Sequence, residues 1–334
     1  MSTATTPSTD SGPAAPAVKR SGSLRGSLQQ LLAFGGLIVI VVFFSVADEN
    51  FRTFSNFTSV LFSTVVIGIL ALGTTFVIIT GGIDLSIGTG MTLCAVMAGV
   101  FLINWDLPLG LGLLLTVLVG GLIGVVNGFN VAILGLPPFI ATLAMMLVAQ
   151  GLALVFSDSA PIYFNDLPDF VKISTGELIP NIPNAVLVLL VLAIAASVLL
   201  RNTLFGRYDF AIGSNEEATE LSGISTRKWK IIIYTVAGLF TGMAGIMISA
   251  RLGSAQPATG MGYELQAIAA VVIGGTSLTG GKGSILGTVI GALIISVLNN
   301  GLRIMSIPQE WQNVILGLVI LAAVYADMAR KKSG

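Results

Sequence analysis

From Leu31 almost to the C-terminus the chain is a succession of long apolar runs separated by short polar connections. A helix that crosses hydrocarbon takes roughly 20 predominantly apolar residues, and runs of that length recur throughout. Charged residues make up 10% of the chain, against about 25% in an ordinary soluble domain. Lipid is therefore the expected surroundings.

Ten candidate spans follow from the apolar runs: 29 to 47, 58 to 80, 86 to 103, 109 to 133, 137 to 156, 184 to 200, 231 to 250, 264 to 274, 284 to 302 and 311 to 326. The eighth, ELQAIAAVVIG, is about half the length that a crossing needs at 1.5 Å per residue. A broken or re-entrant segment is expected there. Residues 1 to 28 are rich in Ser, Thr, Pro, Ala and Gly. They are expected to be a disordered tail rather than a secretory signal, followed by a membrane domain over 29–330.

Lysine and arginine in short loops mark the cytoplasmic side. With a cytoplasmic N-terminus and ten crossings, Lys19, Arg20, Arg25, Arg201, Arg207, Arg227, Lys228, Lys230, Lys282, Arg330, Lys331 and Lys332 lie inside. Only Arg52, Lys172, Arg251 and Arg303 lie outside. Both termini are then cytoplasmic, and the acidic stretch 157–183 is extracytoplasmic. Trp105, Trp229 and Trp311 fall at span ends, where amphipathic rings favour the interface.

One ten-residue spacing is written twice: GGIDLSIGTG at 81–90 and GGTSLTGGKG at 274–283. Each copy follows a run ending in β-branched residues and precedes another apolar run. Irregular backbone inside a bilayer survives only where protein or a water-filled cavity surrounds it, and interrupted helices in internal repeats point to a transport path. Gly81, Gly82, Asp84, Ser86 and Gly88, with Gly274, Gly275, Thr276, Gly280 and Gly281, are therefore candidate gate or permeation residues. Small residues also serve close helix packing, which is the plainer reading of any one glycine. The repeats are parallel if the eighth run crosses and inverted if it does not. The stretch GGTSLTGGKGS does not fit a phosphate-binding loop, because Thr276 stands at the first glycine position and Gly283 follows Lys282.

Several chemistries are closed to this chain. It has no histidine and one cysteine, Cys94, so neither a Ser/His/Asp or Cys/His site nor a cysteine-cluster metal site can be built. No metal and no cofactor is expected, and the zero net charge offers nothing to nucleic acid. Polar residues within the spans, among them Thr80, Asn127, Asn130, Thr142, Gln150, Asn299 and Asn300, are candidate pore groups, with helix-to-helix hydrogen bonding as the commoner role.

The loop 201–230 is the long polar stretch on the cytoplasmic side. Ser214 with Glu217 reads as a capping box, Glu216 and Glu217 complement the helix dipole, and Gly223 supplies a stop. A short helix over about 215–222 is expected. Its narrow apolar stripe, Ala218, Leu221 and Ile224, suits a groove in another protein, with a helix lying on the membrane surface as the plainer alternative.

Four segments give the chain a resemblance to the transmembrane subunits of bacterial ribose-type ATP-binding-cassette sugar importers: GGIDLSIG (81–88), NGFNVAILGLPPFIATLAMMLVAQG (127–151), GRYDFAIGSNEEATELSGI (206–224) and AIAAVVIGGTSLTGGKGSILGTVIGALIISVLNNG (267–301). The resemblance implies an all-α polytopic protein of the bacterial inner membrane, a non-catalytic subunit for a ribose-like pentose or a hexose. It also implies a second permease copy or close paralogue, a cytoplasmic ATPase that binds the ATP, and an extracytoplasmic sugar-binding protein. The stretch from Gly213 to Gly223 would be the coupling helix that docks on the ATPase, with Asn215, Glu216, Glu217 and Ala218 at the contact. The competing reading is an ion-coupled secondary sugar carrier. Such carriers hold ionisable groups mid-membrane, whereas Asp84, Glu264 and Arg303 fall at run ends; an intramembrane enzyme lacks the residues it would need.

Overall fold

The computed structural model describes residues 22–332, with side chains described over 31–325. The tail expected over 1–28 lies outside the described residues except for 22–28, which belong to the first helix. The helices, in chain order, are α1 (Gly22–Ala47), α2 (Phe54–Ile79), α3 (Ile87–Gly99), α4 (Leu109–Ala132), α5 (Pro138–Phe156), α6 (Pro168–Thr175), α7 (Asn184–Asn202), α8 (Leu204–Ser214), α9 (Glu216–Leu221), α10 (Thr226–Leu252), α11 (Tyr263–Ile273), α12 (Ile285–Ile304) and α13 (Gln309–Lys332). A π-helical turn, Val100–Asn104, extends α3.

Among the described residues seven helices are long and apolar enough to cross a membrane: α2, α3 with its π turn, α4, α5, α7, α10 and α12. The chain is thus an all-α polytopic protein. The apolar stretch Leu31–Ala47 and the whole of α11 are shorter. At 11 residues, α11 rises about 16 Å, as the weak eighth run foretold.

α2 and α3 form the centre, buried over most of their length, while α4, α5 and α7 turn most of their apolar surface outward. α4 and α10 pack backbone against backbone along their length. Gly120, Gly124 and Gly128 recur at one per turn on α4 and meet Gly238, Tyr234 and Ile231 of the antiparallel α10. A Cβ at Gly124 would overlap the Tyr234 carbonyl. Without hydrophobic drive between helices in lipid, small residues that admit such approach supply the packing.

Two ends of the bundle can be told apart by what meets there. At one end the turn after α4, the α8–α9 segment and the loop after α11 come together. At the other, β1 (Ile162–Tyr163) pairs antiparallel with β2 (Ser254–Ala255), and the Phe164 amide donates to the Gly253 carbonyl at 3.0 Å. The acidic stretch 157–183 is folded: α6 places Phe170 against Phe164, ring centroids 4.3 Å apart and both buried.

Candidate functional site

The segment expected to couple to an ATPase, α8–α9, packs against the two copies of the glycine motif. The expected capping box does not form; a single N-cap bond one residue later takes its place. Ser214 ends α8, and Asn215 is the N-cap, its side-chain oxygen accepting from the Ala218 amide at 2.9 Å. Asn215 takes the extended backbone that a cap requires, φ −163°, which removes Ser214 from the role. Gly223 stops the helix at φ +84°, in the left-handed region that glycine tolerates. Helix α8 was missed altogether, because its buried residues, Phe205, Asp209 and Ile212, are few and interrupted by charge. Phe205 stacks edge-on to Phe76 of α2 at 5.2 Å, so α8 is pinned to the bundle centre.

Thr219 is buried against the body, whereas Ala218 and Leu221 face out, Leu221 with 84% of its surface exposed. Lys230 at the start of α10 lies 2.7 Å from the Glu216 carboxylate, tying α9 to the base of a span. An open groove runs alongside, lined by Gly135, Pro137, Glu216, Glu220 and Arg227.

Directly beneath, three chain segments meet backbone to backbone. The Gly281 amide donates to the Ile79 carbonyl at 2.9 Å. A Cβ at Gly213 would overlap that carbonyl and come within 2.6 Å of the Gly281 nitrogen. A Cβ at Gly280 would stand 2.8 Å from the Gly213 carbonyl and 3.0 Å from the Gly81 nitrogen. Both copies of the repeated motif therefore touch each other and the end of α8.

The shared spacing does not give a shared conformation. In the first copy Gly81 is left-handed and Gly88 already lies in α3; in the second, Gly275, Gly280 and Gly281 are left-handed and α12 begins only at Ile285. Thr276 is buried, and its hydroxyl has no partner among the described residues.

The remainder of the first copy builds a buried polar cluster. Asp84 Oδ1 accepts from the Ser86 amide at 2.8 Å and from the Ser86 hydroxyl at 2.7 Å. Asn127 of α4 donates to the Ser86 hydroxyl oxygen at 2.8 Å and to Asp84 Oδ2 at 3.3 Å. Thr142 of α5 accepts from the Leu85 amide at 3.1 Å. Asp84, Ser86, Asn127 and Thr142 are all buried, so Asp84 both organises its own turn and ties it to α4. The burial of Asn127 removes it from any open surface.

The other pore candidates divide. Asn300 is buried, its Oδ1 unpartnered among the described residues, while Asn299 is half-buried and donates to Gln266 Oε1 at 3.0 Å. Gln150 is half-buried and reaches Met261 Sδ at 3.5 Å. Glu264, read from sequence as the end of a run, does begin α11, but that helix begins inside the bundle. Its carboxylate meets Gly88 at the start of α3. Gly90, two residues on, faces Thr241 near the middle of the 27-residue α10. Among the described residues no three His, Cys, Asp or Glu side chains gather as metal ligands.

Residues 56–324 match the family model described as branched-chain amino acid transport system / permease component. The chain is 41% identical over 298 residues to the ribose import permease of Haemophilus influenzae, covering 88% of this chain and 92% of the relative. It is 42% identical over 294 residues to the ribose import permease of Escherichia coli K12, covering 87% and 91%. With the xylose transport system permease of H. influenzae the identity is 35% over 366 residues, covering 92% and 98%. No solved structure matches the chain significantly.

Proposed function

This chain belongs to the branched-chain amino acid transport system / permease component family, and from that premise we propose how it moves a monosaccharide and how force reaches it. Although the family description speaks of amino acids, relatives at 35–42% identity over nearly the whole chain are ribose and xylose permeases. The chain is accordingly the permease subunit of a monosaccharide importer of the ATP-binding-cassette type. None of those relatives is described as ion-coupled.

An importer of this type works with an ATPase and a substrate-binding protein. We assign the ATPase contact to α9 and the binding-protein contact to the opposite end, at α6 and the β1–β2 ribbon. The observation that carries the first assignment is the junction of Gly213 with Ile79 and Gly281. Displacing α9 cannot leave the two motif copies in place, because their backbones are in contact with the segment that holds it. Closure of the ATPase would push the exposed Ala218 and Leu221 face, and the loops after α2 and α11 would shift together, rocking the spans between outward-open and inward-open states. Affinity along the path is low, since a site must release what it receives.

In this scheme the chain crosses ten times, with both termini cytoplasmic. The segment from Gly253 through α11 to Gly281 runs from the β1–β2 end to the α9 end, which supports counting it as a crossing and reading the motif copies as parallel. A second permease copy completes the path. The deciding experiment is uptake by the permease reconstituted in liposomes with its ATPase and binding protein, against a panel of pentoses and hexoses. Uptake that requires ATP and all three components is expected; accumulation by the permease alone under an ion gradient would overturn the scheme.

A further inference from the structure

We propose that Glu264, with Gln150 beside it, forms the hydroxyl-recognising pair of the translocation path, a specificity site that binds sugar in transit. The inference rests on the monosaccharide-permease reading above.

Asp84, Ser86 and Asn127 are sealed in their cluster. Gln266 Oε1 accepts from the Asn299 side-chain amide at 3.0 Å, so those two are engaged with each other. Glu264 of α11 and Gln150 of α5 are both half-buried. They share one corner: Gln150 reaches Met261, and the next residue, Gly262, donates its amide to both Glu264 oxygens at 3.1 Å. Around them Met261 and Leu265 are exposed. A carboxylate inside the bundle does not face lipid; it faces protein or a water-filled path.

The donor and acceptor chemistry fits a sugar. A carboxylate offers about four acceptor sites, and the backbone amides of Gly262 and of Glu264 itself take up only part of that capacity. Vicinal hydroxyls can donate to the two oxygens side by side, while the Gln150 amide both donates and accepts. The supporting backbone is built for close approach, because a Cβ at Gly88 would overlap Glu264 Oε2 and one at Gly260 would overlap the Gly88 carbonyl. Glu264 also caps its own helix through the Gly262 amide. A glutamine at 264 would keep that acceptor and lose only the charge.

Glu264→Gln therefore separates capping from recognition. In liposomes holding the permease, its ATPase and its binding protein, ribose, xylose and allose serve as probes. Sugar moved per ATP hydrolysed is expected to fall about tenfold in Glu264→Gln, the effect of weakening a charge-assisted hydrogen bond. ATP turnover and the unfolding temperature should hold, and Glu264→Asp should recover part of the loss. Gln150→Met, which keeps the volume, is expected to change the ranking of the three sugars. Unchanged yield per ATP in Glu264→Gln, or an unchanged ranking in Gln150→Met should the first variant fail to fold, would overturn the proposal. If the wild-type complex takes up no sugar at all, it is the importer reading that fails.

Discussion

Single residues decide how firmly the motif junction is held. Asn127 ties α4 to the loop after α2 through Ser86 and Asp84. Asn127→Leu leaves Asp84 buried with one donor fewer, and a loss of about 1–3 kcal/mol is expected, read as a lowered unfolding temperature in detergent. Asp209 in α8 differs, since neither of its oxygens has a partner among the described residues. Burial holds its carboxyl well above the usual carboxylate range. A carboxyl whose pKa is raised on folding stabilises most below its unfolded value and loses that contribution as pH rises through the folded one. Asp209→Asn is thus expected to raise the unfolding temperature near pH 8 and to leave it little changed near pH 4; the reverse pattern would show a hidden cation partner.

At the scale of elements, α9 is too short to stand alone, and its attachments explain why it can serve as a lever. It is held by Asn215 at one end, by Gly223 at the other and by Lys230 from α10. Its outward face is left free. Leu221→Asp should abolish co-purification of the ATPase while insertion and unfolding temperature stay unaltered; retention of the ATPase would move the docking site elsewhere. The α4–α10 pair is the rigid counterpart. Gly124→Val should prevent stable folding, judged by a collapsed size-exclusion peak, because the added carbons collide with the Tyr234 backbone. Gly110→Ala, with nothing within 4 Å, should fold normally.

For the whole molecule, orientation is the open test of the transport scheme. The lone cysteine, Cys94, is buried, so labelling of an introduced thiol is read against a silent background. A cysteine at Ala218 should react with a membrane-impermeant reagent only in inside-out vesicles, and one at Glu177 only in intact cells. Labelling of position 218 from outside would invert the protein and detach α9 from any cytoplasmic engine.

Membrane residence, helical class and the bounds of the long spans were legible in the sequence because hydrocarbon imposes one rule on each segment separately: about 20 apolar residues, internally bonded. The short α9 was legible for the same local reason, its cap misplaced by one residue between two adjacent polar side chains. The folding of 157–183, the existence of α8, the burial of Asn127 and the interior start of α11 were decided by contacts between distant segments, which periodicity along one helix does not carry. The repeated glycine motif shows the division most clearly. Its spacing announced irregular backbone in two places, but only the fold placed the two copies against each other and beneath Gly213, since a backbone left bare by glycine specifies that something comes close and not what.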